Sequence, residues 1–217
     1  FEEERELTMM LIIDISGSNF FGSNSVFKNE YVTELAATLA FSATKNNDKV
    51  GLILFSDIVE LYIPPKKGKS HVLRIIRELL EFKSKSKKTN INVPLKFVSN
   101  ILKNRSIAFI ISDFISIDYS NSLKIFSSRH DVTGIRIYDK SEEIIPNLGV
   151  IDINDNETGK RTTVNTSSKN VRKKYSEYYK SKRSEFVDYF KRSGSGIIEC
   201  NTQDDYQKKL LKYFKSR

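Results

Sequence analysis

The sequence predicts a doubly wound α/β domain, with a mainly parallel sheet covered by helices on both faces. Three observations lead there. Short, continuously apolar runs recur at 8–13, 50–55 and 107–111, as strands buried on both faces require. Stretches with apolar residues at three- and four-residue steps alternate with them, which implies right-handed crossovers between parallel neighbours. Two of the runs stop at an aspartate, Asp14 and Asp113. In such sheets ligands gather beyond the carboxyl ends of the strands, where the strand order reverses.

Residues 8–13 (TMMLII) form the first strand, and 14–25 (DISGSNFFGSNS) a polar, glycine-containing loop. A helix follows over about 30–45, with Val32, Leu35, Ala36, Leu39 and Ala40 on one side. Residues 50–55 (VGLILF) are the second strand. The segment 59–63 alternates and runs into Pro64 and Pro65, the mark of an edge strand. Spacing of Val72, Ile75, Ile76, Leu79 and Leu80 predicts a helix over 71–82, and another covers about 93–103. After the strand at 107–111 come a helix near 119–128 and a strand at 132–138. Further on, 150–153 is a strand, Gly159 and Lys160 turn a hairpin, 197–199 is the last strand and 204–214 the last helix. Val171, Tyr175, Tyr178, Lys182, Phe186 and Tyr189 fall at helical steps. The basic stretch 169–192 is therefore an amphipathic helix with a buried aromatic stripe and a solvated lysine back. Residues 1–155 are assigned to the core, and 156–217 to a C-terminal extension packed on the same domain.

The chain has 217 residues, 39% of them hydrophobic, with 14 Phe and 10 Tyr, enough for a substantial core. Its net charge of +9 is concentrated in 66–69, 83–88 and 169–192. Because the aromatics of the last stretch belong to a helix stripe, the charge argues only weakly for nucleic acid. No apolar run approaches the ~20 residues of a membrane span, and no signal-peptide pattern is present. The chain opens on Phe1 and an acidic stretch, and is read as a fragment of a longer protein. A single cysteine, Cys200, rules out an internal disulfide and a multi-cysteine zinc site. It favours a reducing compartment, so a cytoplasmic location is expected. His71 and His130, the only histidines, read as ordinary surface or helix-end residues and argue against a histidine-based metal centre.

Asp14, Ser16 and Ser18 form D-x-S-x-S directly after the first buried strand. Alternate side chains of such a turn place one carboxylate and two hydroxyls around a point. These hard oxygen donors suit Mg²⁺ or Mn²⁺ and fit zinc or copper poorly. With few negative charges around it, a bound ion stays electrophilic and keeps positions open for water and one incoming ligand. The same short pattern also builds an Asx or Ser turn capping the next helix.

Asp14-Ile15-Ser16-Gly17-Ser18 resembles the first motif of the metal-ion-dependent adhesion site (MIDAS) of von Willebrand factor A domains. The resemblance implies two further ligands: Thr89, in Lys88-Thr89-Asn90-Ile91, and Asp113, in Ile111-Ser112-Asp113. A glycine commonly precedes that threonine in the family, whereas Lys88 stands here, which makes Thr89 less secure as a direct ligand than Ser16 and Ser18. Glu3-Glu4-Arg5-Glu6-Leu7-Thr8, Asn47-Asp48-Lys49-Val50-Gly51-Leu52, Ser112-Asp113-Phe114, His71-Val72-Leu73-Arg74 and Arg136-Ile137-Tyr138-Asp139 narrow the match. They resemble a bacterial uncharacterised family often encoded beside MoxR-type AAA+ ATPases. That likeness implies a von Willebrand factor A-like fold of Rossmann-type topology. It also implies a metal-dependent adaptor or assembly factor for such an ATPase, binding a protein that supplies an acidic residue.

Two other functions compete. A haloacid-dehalogenase-like phosphatase also sets an aspartate after its first strand, but needs a general acid/base two residues on. That position is Ser16, so no catalysis is expected. A structural scaffold with a vestigial metal site is the other. Asp57 reads as a turn residue and Asp118 as a helix cap. One of Phe20 and Phe21 is a candidate anchor at the binding rim, and the basic loop 83–88 beside Thr89 suggests an acidic partner surface.

Overall fold

A computed structural model describes residues 6–17, 25–154 and 161–216. Along the chain run β1 (Thr8–Asp14), α1 (Ser25–Lys45), β2 (Lys49–Phe55), β3 (Val59–Lys66), α2 (Lys69–Glu81), α3 (Asn92–Ile101) and β4 (Ile107–Ser112). There follow α4 (Ser120–Ser127), β5 (Asp131–Tyr138), β6 (Val150–Asn154), β7 (Arg161–Asn165), α5 (Lys169–Arg192), β8 (Gly196–Asn201) and α6 (Tyr206–Lys215). One six-stranded sheet has the order β3-β2-β1-β4-β5-β8, and β6 and β7 pair as a separate two-stranded ribbon. All neighbours in the large sheet are parallel except β2 and β3. The α/β fold class expected from the alternating pattern is the one observed.

The strands are buried on both faces, and their alternation sorts the core into two layers. Leu11 and Ile13 of β1 join Leu52, Leu54, Phe109 and Ile111 on one face, covered by Leu35 and Leu39 of α1, Ile75 of α2 and Leu210 of α6. Met10 and Ile12 join Ile53, Phe55 and Ile110 on the other, covered by Leu95 of α3, Phe126 of α4 and Phe186 and Phe190 of α5. From β1 the chain winds outward to β2 and β3, then returns to start again with β4 on the other side of β1. The order therefore reverses between β1 and β4. Register pairs Ile13 with Ile111, so Asp14 and Asp113 leave the sheet side by side at that switch point.

Four details differ from the sequence expectation. The first helix begins at Ser25 rather than near residue 30, because a first turn needs no apolar stripe. Strand β3 continues through Pro64 and Pro65 to Lys66, which an outer strand tolerates because its outward N–H groups need no partner. In α5 the stripe is rotated: Tyr178 is exposed, and Phe190 is buried beside Phe186. The observed face (175, 179, 182, 186, 190) keeps steps of three and four residues but runs through Tyr179 and Phe190 in place of Tyr178 and Tyr189. Finally, His130 does follow a helix end, but it is buried, packed on Phe126 with ring centroids 4.7 Å apart. Cys200 is buried, and Asp118 accepts a hydrogen bond from the Ser120 amide (2.8 Å), as expected of a cap. Gly159 and Lys160 lie outside the described residues, but the strands they would join pair antiparallel from Val150–Asn165 to Asn154–Arg161.

Candidate metal centre

Asp14 is the last residue of β1, and pairing continues past it, where the Ile15 amide donates to the Phe55 carbonyl (2.8 Å). Its carboxylate is held at both oxygens. Oδ1 accepts from the Ser16 amide (2.9 Å), an Asx turn, and Oδ2 accepts from the Ser112 hydroxyl (2.6 Å) at the end of β4. Ser16 is fully buried, and its Oγ accepts from Thr89 Oγ1 at 2.7 Å. Thr89 sits in the loop joining α2 to α3, and that loop is tied to the Asp14 turn by a bond from the Gly17 amide to the Lys87 carbonyl (2.9 Å).

Asp113 follows β4 and is buried, with Oδ1 accepting from the Ile115 amide at 2.9 Å. The next residue, Phe114, has φ 60°, a left-handed conformation uncommon for a bulky side chain. Its ring is buried and stacked 4.3 Å from Phe186, with Phe190 edge-on at 5.2 Å. The aromatic cluster under α5 thus fixes the backbone reversal that presents Asp113.

Burial pushes the Asp14 carboxyl well above the usual carboxylate range, and the neighbouring Asp113 carboxylate pushes it further. The hydrogen bonds from Ser112 and Ser16 oppose that rise without cancelling it. Two adjacent buried carboxylates flanked by hydroxyls are a donor set that a hard divalent cation would complete. Among the described residues no group of three or more His, Cys, Asp and Glu is arranged to hold a metal.

The structure brings together four of the five residues singled out in the sequence: Asp14, Ser16, Thr89 and Asp113. Ser18 lies outside the described residues, as do Phe20 and Phe21. Two residues escaped the sequence reading. Lys28 in α1 and Glu142, just past β5, form an ion pair (Nζ to Oε2 3.2 Å) with side chains only 3% and 14% exposed. Burial raises the Glu142 pKa, Lys28 lowers it, and Asp113 adds to the rise, so this pair borders the same charge cluster. The partners stand 114 residues apart, and nothing in the local pattern around either announces the other.

Comparison with known proteins places this geometry in context. The family described as "Protein of unknown function DUF58" matches residues 1–185. An uncharacterized protein of Mycobacterium tuberculosis is 21% identical over 219 residues, covering 99% of this chain and 68% of that protein. Among solved structures, the conserved hypothetical protein BatB from Bacteroides thetaiotaomicron superposes with a TM-score of 0.63 at 15% identity, covering 97% of this chain and 98% of its own. The SpRpn10 VWA domain does so at 0.54 and 8% identity, covering 98% and 95%. Proximal thread matrix protein 1 from the mussel byssus, with a zinc-occupied MIDAS motif, reaches 0.50 at 18% identity over 61% of this chain and 38% of its own. These likenesses establish a von Willebrand factor A-like fold. No helix among the described residues is long and apolar enough to cross a membrane.

Proposed function

The chain belongs to the DUF58 family, whose function is unknown, and from that premise we propose that it is a metal-dependent protein-interaction module that catalyses no reaction. One observation carries the reading: Asp14, Ser16, Thr89 and Asp113 converge at the switch point of the sheet, with the Asp14 carboxyl strained upward by burial and by Asp113. Those residues, with Ser18, would hold Mg²⁺ or Mn²⁺. Such an ion supplies an electrophilic centre for a carboxylate from another protein. The chain's own part is preorganisation. Ser112 and the Ser16 amide fix the Asp14 carboxylate, the Ile115 amide fixes Asp113, and Thr89 ties the α2–α3 loop to Ser16. Zinc in the MIDAS motif of the mussel protein of the same fold supports a metal at this place. Ser16 stands where a phosphatase of this topology needs an acid/base, which supports a non-catalytic role. The sequence likeness to proteins encoded beside MoxR-type AAA+ ATPases makes such an ATPase the leading partner class. The domain would then act as a cytoplasmic adaptor or assembly factor.

Thermal unfolding of the wild type and of Asp14→Ala, each in EDTA and across a Mg²⁺ or Mn²⁺ titration, tests the site. An ion at ten times its dissociation constant stabilises the native state by about 1.4 kcal/mol, which moves the midpoint of a domain this size by about 3–6 °C. The expected result is a saturable rise in the wild type that is absent in Asp14→Ala. No rise in either protein up to about 20 mM metal, beyond the weakest physiological sites, would put the scaffold reading first.

A further inference from the structure

Beside the metal centre lies a cavity of about 300 Å³ lined by Ile15, Gly17, Phe82, Lys83, Ser84, Ser86 and Lys87. It shares a wall with the centre, since Ile15 and Gly17 flank Ser16, whose hydroxyl takes the bond from Thr89. The lysine-rich loop 83–88 is pinned in place here. Glu60 Oε1 accepts from the Ser84 hydroxyl (3.2 Å), the Lys85 amide (3.1 Å) and the Ser86 amide (3.0 Å), and also from Ser56 Oγ (2.9 Å). A second tether runs from the Gly17 amide to the Lys87 carbonyl. Lys83, Lys85, Lys87 and Lys88 are all exposed, and none of the four is in an ion pair among the described residues. Glu60 thus spends its Oε1 hydrogen bonds on holding the loop, while Lys83 and Lys87 line the cavity without an ion-pair partner among the described residues.

We propose that this loop and cavity form a second anionic subsite, so that the partner is an acidic protein segment with at least two carboxylates, one for the metal and one or more for Lys83 and Lys87. This rests on the metal-dependent reading above and names the chemistry of the partner for that same site. Successive residues of an extended segment rise about 3.3 Å, and alternate ones about 7 Å. Ile15 and Gly17, which line the cavity, flank Ser16 of the metal centre, so the two pockets adjoin and acidic residues close in sequence would serve both. Nucleic acid is the weaker fit, because the cavity offers Ser, Lys and one half-buried ring, Phe82, in place of a stacking platform.

The test uses the 217-residue chain with isotope-labelled amides, titrated in about 5 mM Mg²⁺ and about 50 mM salt, where surface charge is only partly screened. One probe is hexaglutamate; the other has a single glutamate among glutamines. The amide signals of Gly17 and Lys87 report binding even when it is weak. Two exposed charge pairs each contribute modestly, so hexaglutamate should bind about three- to tenfold tighter than the single-glutamate peptide. That preference should vanish in Lys83→Ala/Lys87→Ala and survive in Lys83→Arg/Lys87→Arg, while binding of the single-glutamate peptide stays the same in all three. Equal binding of the two peptides to the wild type, with neither bound by Asp14→Ala, overturns the second subsite and leaves the metal reading standing. Failure of both peptides to bind the wild type overturns both readings. Oligouridylate binding tighter than hexaglutamate, in Mg²⁺ and in EDTA alike, overturns the assignment to protein.

Discussion

Removing the charge of Asp14 should make the metal-free domain more stable, although it destroys the metal centre. The carboxyl is 2% exposed, next to Asp113, and burial is the main cause of its raised pKa. An unfolded chain ionises it near pH 3.9, so between that value and the higher native one the native state binds more protons. This carboxyl's contribution to stability is therefore greatest at acid pH, falls as pH rises through the window, and levels off above the native pKa. Ionising a carboxyl pushed up to about 7 costs the native state a few kcal/mol. In Asp14→Asn one of the two accepting oxygens becomes a donor, which disturbs the bond from Ser112 or the Ser16 amide and returns about 1 kcal/mol. The net expectation is a gain of about 1–2 kcal/mol at pH 7.5, or about 2–8 °C in the midpoint. The assay is thermal unfolding in EDTA at pH 5 and 7.5, followed by addition of Mg²⁺. The gain should shrink at pH 5, and Mg²⁺ should raise only the wild type. If Asp14→Asn is less stable in EDTA and falls further behind as pH rises, then the protein alone satisfies the carboxylate, and no cation deficit exists.

Two further predictions concern the scaffold. A Cβ at Gly134 in β5 would run into the rings of Phe190 and Phe186, which also stack under Phe114. Gly134→Ala should therefore lose about 1–3 kcal/mol and weaken the Mg²⁺ response by loosening the Asp113 reversal. Unchanged denaturant midpoints would show that the rings can yield. Among the described residues both ring nitrogens of buried His130 are without a hydrogen-bond partner, and burial, with Arg129 nearby, lowers its pKa. The wild type should lose stability as pH falls below about 6.5, where the unfolded imidazole takes up a proton. His130→Leu should remove that slope and gain about 1 kcal/mol; a loss of similar size in urea unfolding would contradict this.

The sheet was legible because its strands are buried on both faces, and uninterrupted runs such as 8–13 and 107–111 have few other uses. The end of α1 was legible from its stripe, but its start was not, because Val26 and Phe27 follow directly on the polar, glycine-containing stretch 14–25 and are cut off from the stripe by Lys28, Asn29 and Glu30. Similarly, α5 was readable as a helix, while its rotation depended on which rings Phe114 selects, a tertiary choice that turns Tyr178 outward. At the site, Asp14, Ser16, Thr89 and Asp113 were recoverable because each lies at the end of a strand or before a helix, where topology limits its position. Ser112 was quoted only as part of a motif, yet it makes the shortest bond to Asp14. A serine ending an apolar strand, one residue before the aspartate, was the available signal. Lys28 and Glu142 had none.

The sequence offered two readings of D-x-S-x-S, a backbone turn or a metal loop; the turn is observed, and its geometry is compatible with the proposed metal loop. The Ser16 amide bond to Asp14 Oδ1 is the Asx turn. By folding back on its own carboxylate the turn delivers the Ser16 hydroxyl to Thr89, and so links β1 to the loop before α3. Asp113 repeats the device through the Ile115 amide. Local turn chemistry, which competes with helices and strands elsewhere, here sets the orientation of both carboxylates before any cation arrives. A turn serving only to cap a helix would have no reason to bury a second carboxylate against the first and accept the resulting rise in pKa. Burial of Asp14 beside Asp113, rather than the motif itself, is therefore the observation that favours the proposed metal loop over an ordinary turn.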